Sequence, residues 1–368
     1  MKLTATLATG AGPETDPLFG ANYFTLLRWA LAFGVVIGHA FMITTGYEIT
    51  RIHEWTLSYL SVNAFFILSG LLISKSLNTR PQLLPFIISR LLRIAPALIV
   101  LLIALILFFG PVYGEKTGFD YLTQSEPWAY VAKTLAMGDP LGRPGGVFHA
   151  SSDPHFNGAL WTIRYEVLAY ILAGAAFFVG VLRSARSVLI AFLLVQIMYL
   201  ATPVLQQQNL SIPGGVISLL RFMSTFLMGM CLWYFPVLRH PPLWSLGCAV
   251  VLFAVFGWSF LGELFANIAI ALIMMRAGLV RSANARIAKI PDYSYGIYIW
   301  HFPVMQSLAI TFSLTNAPTL FLIGLPFIII VSAISWHFVE KPSLKFKVRR
   351  IEKIPIGGIC ILRNLRRP

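Results

Sequence analysis

The sequence predicts an all-α, polytopic membrane protein with about ten transmembrane helices and both termini in the cytoplasm. Of its 368 residues, 57% are hydrophobic and only 11% are charged, a composition that does not suit the surface of a soluble domain. A bilayer span needs about 20 mainly apolar residues. On that scale the spans are predicted at 23–45, 56–77, 86–110, 160–182, 188–204, 215–237, 242–258, 261–276, 295–313 and 317–339.

Orientation follows from the 28 basic residues, because Lys and Arg are retained in cytoplasmic loops. With a cytoplasmic N-terminus most of them fall on the inner side, and those on the outer side are Arg51, Lys116, Lys133 and Arg143. The net charge of +14 is therefore a topology signal, and we do not expect nucleic acid as a partner.

Three regions follow from this topology: a cytoplasmic N-terminal segment (1–22), a membrane domain (23–340) and a basic cytoplasmic tail (341–368) that could contact anionic lipid. The N-terminal segment lacks the apolar core of a cleaved signal peptide, so the first span is expected to direct insertion. Three cysteines, Cys231, Cys248 and Cys360, have no paired spacing, and we expect neither a metal site nor a disulfide.

Arg28 and His39 stand out in the first span, since ionisable groups in a membrane helix are costly and usually face a cavity or the bundle interior. Their separation of eleven residues is three helical turns with about 20° left over. Both side chains therefore lie on one face, about 16 Å apart along the axis. One helix face carries a cation and a candidate base. The alternative for His39 is a hydrogen bond to a neighbouring helix.

Glu166 is the carboxylate expected beside His39. It lies six residues into the fourth span, which enters from the outside, and should reach the outer half of the bilayer, where His39 is also placed. A carboxylate can orient an imidazole and stabilise its protonated form during base catalysis. The alternative is that Glu166 pairs with Arg164 or Arg221.

The connection from Pro111 to Gly158 is the longest between the predicted spans and lies on the outer side. It contains Trp128, His149 and His155, and loops of this length are usually functional or disordered. Two interpretations stay open: a lid over an acceptor site, and an ordinary extracytoplasmic connection.

Basic residues gather at the inner end of the third span. Arg90 and Arg93 are three residues apart on one helix face, where two guanidiniums could clamp a phosphate, and Arg28 should lie near the same level. Each arginine alone could instead anchor the chain at the cytoplasmic surface. The convergence of three such groups below His39 favours a phosphate site.

Two further segments place polar or small residues within spans. In the second span, Ser69 and Gly70 would let a helix or a ligand chain approach closely, and packing is their expected role. The ninth span contains Tyr298 and a second histidine, His301, which its position in the span places in the inner third. We expect His301 to hydrogen-bond another helix beside the kink at Pro303.

Taken together, these motifs resemble the acyltransferase-3 family, integral membrane enzymes that O-acylate cell-envelope carbohydrates and some small molecules. The similarity runs from Asn22 to Pro342, with six motifs in the family's order. Here they are Arg28 with His39, Phe65 to Gly70, Arg90 to Pro96, Trp161 with Glu166, Ser294 to Tyr298 with His301-Phe-Pro303, and Val339 to Pro342.

The resemblance implies an acyl-CoA donor that approaches from the cytoplasm, with acetyl-CoA as the default and no permanently bound cofactor. It also implies that His39 lies near the acyl group and that the arginines lie near the nucleotide or its phosphates. One segment departs from the family pattern: Trp161 is followed by Thr rather than the more usual Ser, and the usual acidic pair is reduced to Glu166. This departure leaves the orienting role of Glu166 open.

The expected function is therefore O-acetylation of an envelope carbohydrate, such as exopolysaccharide or lipopolysaccharide O-antigen, by a multi-pass protein of the bacterial inner membrane. One alternative is a secondary transporter, since many spans with buried charges also describe carriers. Another is an enzyme of the same family with a small-molecule acceptor. Residue types allow His39 to act as a base or to carry the acyl group, and we favour the base.

Overall fold

The computed structural model describes Leu18, residues 22–280 and residues 287–351 of the chain. Almost all of the predicted N-terminal segment therefore lies outside the described residues, as do Arg281, Arg286, Cys360 and the end of the basic tail. The other two cysteines are free thiols, Cys231 buried and Cys248 exposed.

Helices form nearly all of the described structure. They are α1 (Phe24–Thr45), α2 (Leu57–Thr79), α3 (Leu83–Ala104), α4 (Gly110–Tyr113), α5 (Phe119–Leu122), α6 (Ser125–Leu135), α7 (Ile163–Phe178), α8 (Ala185–Gln207), α9 (Gly214–Tyr234), α10 (Leu243–Phe256), α11 (Gly262–Gly278), α12 (Ser294–Thr311), α13 (Ala317–Ser335) and α14 (Lys341–Ile351). A short antiparallel hairpin, β1 (Arg51–Ile52) and β2 (Trp55–Thr56), joins α1 to α2. Single π-helical turns continue α3 into α4 and α13 into α14.

Among the described residues, 7 helices are long and apolar enough to cross a membrane, which makes the chain a multi-pass helical protein. They are α1, α2, α3 with its continuation to Tyr113, α7 with its preceding turn, α8, α9, and α13 with its continuation to Phe346. The other three predicted spans also coincide with helices. These are α10, α11 and α12, with 14, 17 and 18 residues. The count of ten crossings and the orientation stay predictions.

Close packing of α2 on α9 forms the centre of the bundle, and a glycine on each helix permits it. A Cβ on Gly70 would lie 1.9 Å from the carbonyl oxygen of Phe226, and a Cβ on Gly229 would lie 1.9 Å from that of Ile67. Small residues let two backbones approach this closely. Gly70 thus contributes to helix packing, whereas the adjacent Ser69 lines a cavity.

Helices α1 and α12 run side by side in the same direction and are joined by polar contacts at two levels. Near the start of both helices, the Arg28 guanidinium lies 3.1 Å from the Asp292 carboxylate. Further along, Nδ1 of His39 lies 2.8 Å from Nε2 of His301. These contacts define two ends of the functional region, which we call the arginine end and the histidine end.

The long connection predicted at Pro111 to Gly158 is ordered. It contains α5, α6 and a turn of 3-10 helix at Pro144–Gly146. Its last part lies against α1 and α12, since Ser152 Oγ donates to the carbonyl of Thr44 and Asn157 Nδ2 donates to that of Ile299. This places the connection at the histidine end.

Candidate functional site

A cavity of about 320 Å³ lies between α1, α2, α3, α7 and the start of α12. Its charged lining consists of three guanidiniums and two carboxylates, with hydroxyl groups and aromatic rings around them. These charged groups belong to Arg28, Arg90, Arg93, Glu166 and Asp292, and we call this space the arginine cavity. All three arginines singled out in the sequence therefore face one space.

Two of the arginines share one acidic partner. The Asp292 carboxylate lies 2.8 Å from the Arg93 guanidinium and 3.1 Å from that of Arg28, and Arg93 also lies 3.7 Å from Glu340. Burial raises the pKa of Asp292, but Arg93 and Arg28 lower it more strongly, so that the pKa falls to about 2. Asp292 is therefore ionised at neutral pH and partly neutralises both guanidiniums.

Arg90 differs from the other two arginines. Its Nε donates to Ser89 Oγ at 3.1 Å, and its guanidinium lies over the ring of Tyr170, 5.7 Å from the centroid. Within the described ranges no carboxylate lies at ion-pair distance from it. Arg90 is therefore the cation of the cavity that is most available to an incoming anion.

Glu166 lies at the arginine end, and the expectation that it meets His39 is wrong. The Tyr170 hydroxyl donates to its carboxylate, and the charges that act on it are those of Arg93 and Arg90. The prediction compared depths along two helices. Glu166 instead lies level with Arg90 and Arg93 of α3, so α7 begins deeper in the bundle than the prediction assumed.

The alternative partners predicted for Glu166 are engaged elsewhere. Arg164 lies 3.7 Å from Asp139, and Arg221 lies 3.4 Å from Glu263. The second pair is buried between α9 and α11. Glu166 therefore belongs to the arginine cavity.

His39 is joined to His301, and the contacts of His301 determine the protonation of both rings. Nδ1 of His301 lies 3.0 Å from the carbonyl oxygen of Ile297, which can only accept, so this nitrogen carries the hydrogen. In the neutral ring, Nε2 of His301 is then an acceptor, and Nδ1 of His39 must donate to it. Nε2 of His39 is left as the unprotonated nitrogen, with no hydrogen-bond partner in the described part of the chain.

The two histidines were expected at different depths, and their contact shows that expectation to be wrong. Counting from the start of α12 assumed that this helix begins at the membrane surface. Asp292, just before α12, instead lies level with the Arg28 side chain of α1. Because α12 begins inside the bundle, His301 needs only seven residues from the start of α12 to lie level with His39. His39 is fifteen residues from the start of α1.

The carboxylates that act electrostatically on His39 are Asp153 and Glu48, and the His155 ring acts on it as well. Asp153 and His155 belong to the long connection, and Glu48 follows α1. From the sequence, His155 was noted only as a residue of the long connection, and Asp153 was not predicted as a site residue. The sequence Asp153-Pro-His155 could have indicated this site, because it lies in a connection long enough to fold back over the bundle.

Tyr298 lies between the two ends. It lines the arginine cavity, and its ring centroid is 6.3 Å from that of His301. Its hydroxyl is 2.6 Å from Thr162 Oγ1, and its ring is 6.1 Å from that of Phe65. His39 itself does not line the cavity, and Tyr298 is the lining residue whose ring adjoins His301.

The remaining candidates divide between cavity and core. Ser69 lines the arginine cavity. Trp161 packs among aromatic rings, with its centroid 5.5 Å from that of Phe222 and 5.7 Å from that of Tyr165. Across the described ranges, no group of three or more His, Cys, Asp or Glu side chains is arranged to hold a metal ion.

Two residues of the cavity, Asp292 and Tyr170, were not predicted from the sequence. Asp292 directly precedes the Ser294-Tyr295 motif, and an acidic residue at a helix start among positive-inside arginines was a readable signal. Tyr170 is one helical turn after Glu166, the spacing at which two side chains of a helix meet.

The chain matches a family model and is similar in sequence to two named proteins. A family model described as an acyltransferase domain matches residues 21–337. A protein of Shigella phage Sf6 named O-acetyl transferase is 26% identical over 341 residues, which cover 88% of this chain and 96% of the phage protein. Nodulation protein 10 of Rhizobium leguminosarum bv. viciae is 25% identical over 379 residues, which cover 93% of this chain and 98% of that protein. No solved structure matches the chain.

Proposed function

Because this chain belongs to the acyltransferase-3 family of membrane O-acyltransferases, we propose that it transfers an acetyl group from cytoplasmic acetyl-CoA to a hydroxyl of an envelope carbohydrate. The observation that carries this proposal is the position of Tyr298. This residue lines a cavity that contains three arginines, and its ring adjoins the histidine pair. One helix, α12, thus connects a site suited to anions with a site suited to proton transfer.

The donor's phosphates are assigned to the arginine cavity. Guanidinium groups bind phosphate through paired, charge-assisted hydrogen bonds. Arg90 is available without displacing an acidic partner, and a phosphate could replace Asp292 beside Arg93 and Arg28. The pantetheine arm would then run toward Tyr298. The axial distance of about 16 Å from Arg28 to His39 is comparable to the length of that arm.

Nε2 of His39 is assigned as the base. The acceptor hydroxyl gives its proton to Nε2, and its oxygen attacks the thioester carbonyl. An ester forms as the carbon–sulfur bond breaks, and the proton then passes from His39 to the sulfur of CoA. His301 supports this step by accepting the hydrogen of Nδ1, which keeps Nε2 unprotonated before the reaction.

Positive charge appears on His39 while it holds the proton. Asp153 and Glu48 are the carboxylates that act on it, and we assign to them the stabilising role first predicted for Glu166. Glu166 is assigned to the donor side, where it lies near Arg90 and Arg93. A phosphate bound there would approach with this carboxylate nearby, and Glu166 would reduce the positive potential at both arginines.

His39 could instead carry the acetyl group before passing it to the acceptor. We favour the direct route because it needs only one transfer and requires an unprotonated Nε2 on His39, which the hydrogen bond from Nδ1 to His301 favours. Rapid denaturation at neutral pH of protein incubated with labelled acetyl-CoA, where an acyl-histidine survives longer than in acid, separates the routes. Label bound to the wild-type chain and absent from His39→Ala would support the acyl-histidine route.

The acceptor class is proposed from the family and from the loop that covers the histidine end. Exopolysaccharide or lipopolysaccharide O-antigen at the outer face of the bacterial inner membrane fits a site reached from that loop. A small-molecule acceptor is the alternative within the same family. Mass spectrometry of envelope glycans from cells with and without the chain tests this choice, since glycans from cells without it should lack acetyl esters.

Release of free thiol from acetyl-CoA tests the enzyme itself. Purified wild-type protein should release thiol when acceptor glycan is present, whereas a secondary transporter would not. His39→Ala, inserted at wild-type levels, should lower transfer by about 10²–10⁴-fold, the range expected for removal of a general base. Full activity of His39→Ala would refute both roles proposed for this residue.

A further inference from the structure

The segment 149–158 of the long connection is held against α12 beside the histidine pair. Gln306 Nε2 donates to the carbonyls of His155 and Phe156 at 3.0 and 3.1 Å, and Asn157 Nδ2 donates to the carbonyl of Ile299 at 2.9 Å. The segment therefore runs along α12 from the level of Gln306 to that of Ile299. His301 lies between those two levels.

The same segment also reaches the surroundings of His39. The Phe302 ring stands edge-on to His39, with centroids 5.2 Å apart, and a Cβ on Gly158 would lie 2.8 Å from that ring. Ser152 Oγ donates to the carbonyl of Thr44, which is five residues, or about 7.5 Å of helical rise, beyond His39. The segment thus lies against the part of α1 that follows His39 and against the Phe302 ring that His39 contacts.

Asp153 and His155 form a dyad within this segment. Asp153 Oδ1 accepts from Nδ1 of His155 at 2.7 Å and from the backbone N–H of His155 at 3.0 Å. The Asp153 side chain is 4% exposed, whereas that of His155 is 28% exposed. The carboxylate therefore fixes a partly accessible imidazole, whose Nε2 makes no hydrogen bond within the described part of the chain.

Arg143 holds the dyad in this conformation. Its guanidinium donates to the carbonyl oxygens of His149, at 3.1 Å, and Ser151, at 2.7 Å, and also to that of Asp153. Three backbone carbonyls on one guanidinium fix the path of the loop before any ligand arrives. A binding group held in this way loses little conformational freedom on binding.

We propose that the Asp153–His155 dyad is a binding subsite for the acceptor, in which Nε2 of His155 hydrogen-bonds a hydroxyl of a polyhydroxylated molecule next to the hydroxyl that His39 deprotonates. This inference rests on the proposed function. A hydroxyl both donates and accepts, so it pairs with Nε2 whether the ring is neutral or protonated. A saccharide supplies several hydroxyls on neighbouring carbons, so one molecule can offer a hydroxyl to each of the two histidines.

The test compares His155→Ala with a matched histidine of the same loop. His149 is exposed, and His149→Ala removes an imidazole without touching the dyad. The full-length protein is purified, and transfer of labelled acetyl from acetyl-CoA is measured against glycan prepared from cells that lack the chain. His155→Ala should raise the acceptor KM by about tenfold, the loss expected for one hydrogen bond in a fixed geometry.

Three further readings make the result specific. Acetyl-CoA binding should be unchanged in His155→Ala, because the donor lies at the arginine end. His155→Gln should recover part of the affinity, since an amide can also bond a hydroxyl, and His149→Ala should equal wild type. An unchanged KM in His155→Ala, or an equal rise in His149→Ala, would overturn the subsite. Absence of any transfer by the wild-type protein would instead refute the proposed function.

Discussion

Nδ1 of His39 and Nε2 of His301 are 2.8 Å apart, and this contact joins two helices whose earlier turns are joined by Arg28 and Asp292. Eleven residues of α1 separate Arg28 from His39, and nine residues separate Asp292, just before α12, from His301. The pairs therefore act as two fixed points along parallel helices. A base at one end and a phosphate-suited cluster at the other are held at a set distance by α1 and α12 together.

His301 should act on catalysis through the tautomer of His39. In His301→Leu, Nδ1 of His39 loses its acceptor, and we expect kcat to fall by about 10²-fold, within the range for general base catalysis. Gln can place an oxygen where Nε2 of His301 lies, so His301→Gln should recover most of the activity. The pH profile of kcat/KM should change in the Leu variant and stay close to wild type in the Gln variant. If kcat falls equally in His301→Leu and His301→Gln, His301 has only a packing role.

Arg90 should contribute to donor binding more than a surface arginine does. Arg90→Ala should weaken acetyl-CoA binding by about tenfold or more, because a charge-assisted hydrogen bond is lost. Arg80 is exposed at the end of α2 and serves as the matched control, with unchanged affinity expected for Arg80→Ala. Equilibrium binding of labelled acetyl-CoA in detergent measures both. If Arg90→Ala binds acetyl-CoA with wild-type affinity, Arg90 serves only to anchor the chain at the cytoplasmic surface.

Asp292 should stabilise the fold at neutral pH through Arg93 and Arg28. Its pKa of about 2 lies below the unfolded value of about 3.9, so this stabilisation is present above about pH 4 and is lost as the pH falls through 2. Asp292→Asn should lower the midpoint of thermal unfolding by several degrees at pH 7. The difference from wild type should shrink as the pH falls below 4. If the difference in unfolding midpoint between wild type and Asp292→Asn stays constant down to pH 2, the stabilisation by Asp292 is not ionic.

Gly70 should tolerate no side chain, because the Phe226 carbonyl oxygen occupies the position of a Cβ. Gly70→Ala should destabilise the packing of α2 on α9 by about 1–3 kcal/mol, as overpacking usually does. Gly247 lies within α10 with nothing near its Cβ position, so Gly247→Ala should be neutral or slightly stabilising. Thermal unfolding in detergent compares the two. Equal stability of both variants would show that α9 can move away without cost.

The sequence predicted helix positions well because hydrophobic length is a local property of the chain. Each predicted span coincides with a helix, and the spacing of Arg28 and His39 correctly placed both on the face of α1 that meets α12. The ninth predicted span coincides with α12, but Tyr298, His301 and Gln306 make this helix too polar to count among the 7 candidate membrane helices of the described residues. Those side chains are directed to protein neighbours, which a count of apolar residues does not register.

Tertiary structure alone decided the partners of these groups. Glu166 was expected beside His39 and lies with Tyr170, whereas His301 was expected at another depth and bonds His39. Rotation and offset between helices determine such contacts, and neither is encoded in the period of one segment. The sequence by itself therefore determined a helical membrane protein with a cation and a histidine on one face. Packing of α12 and of the long loop determined which groups surround that histidine.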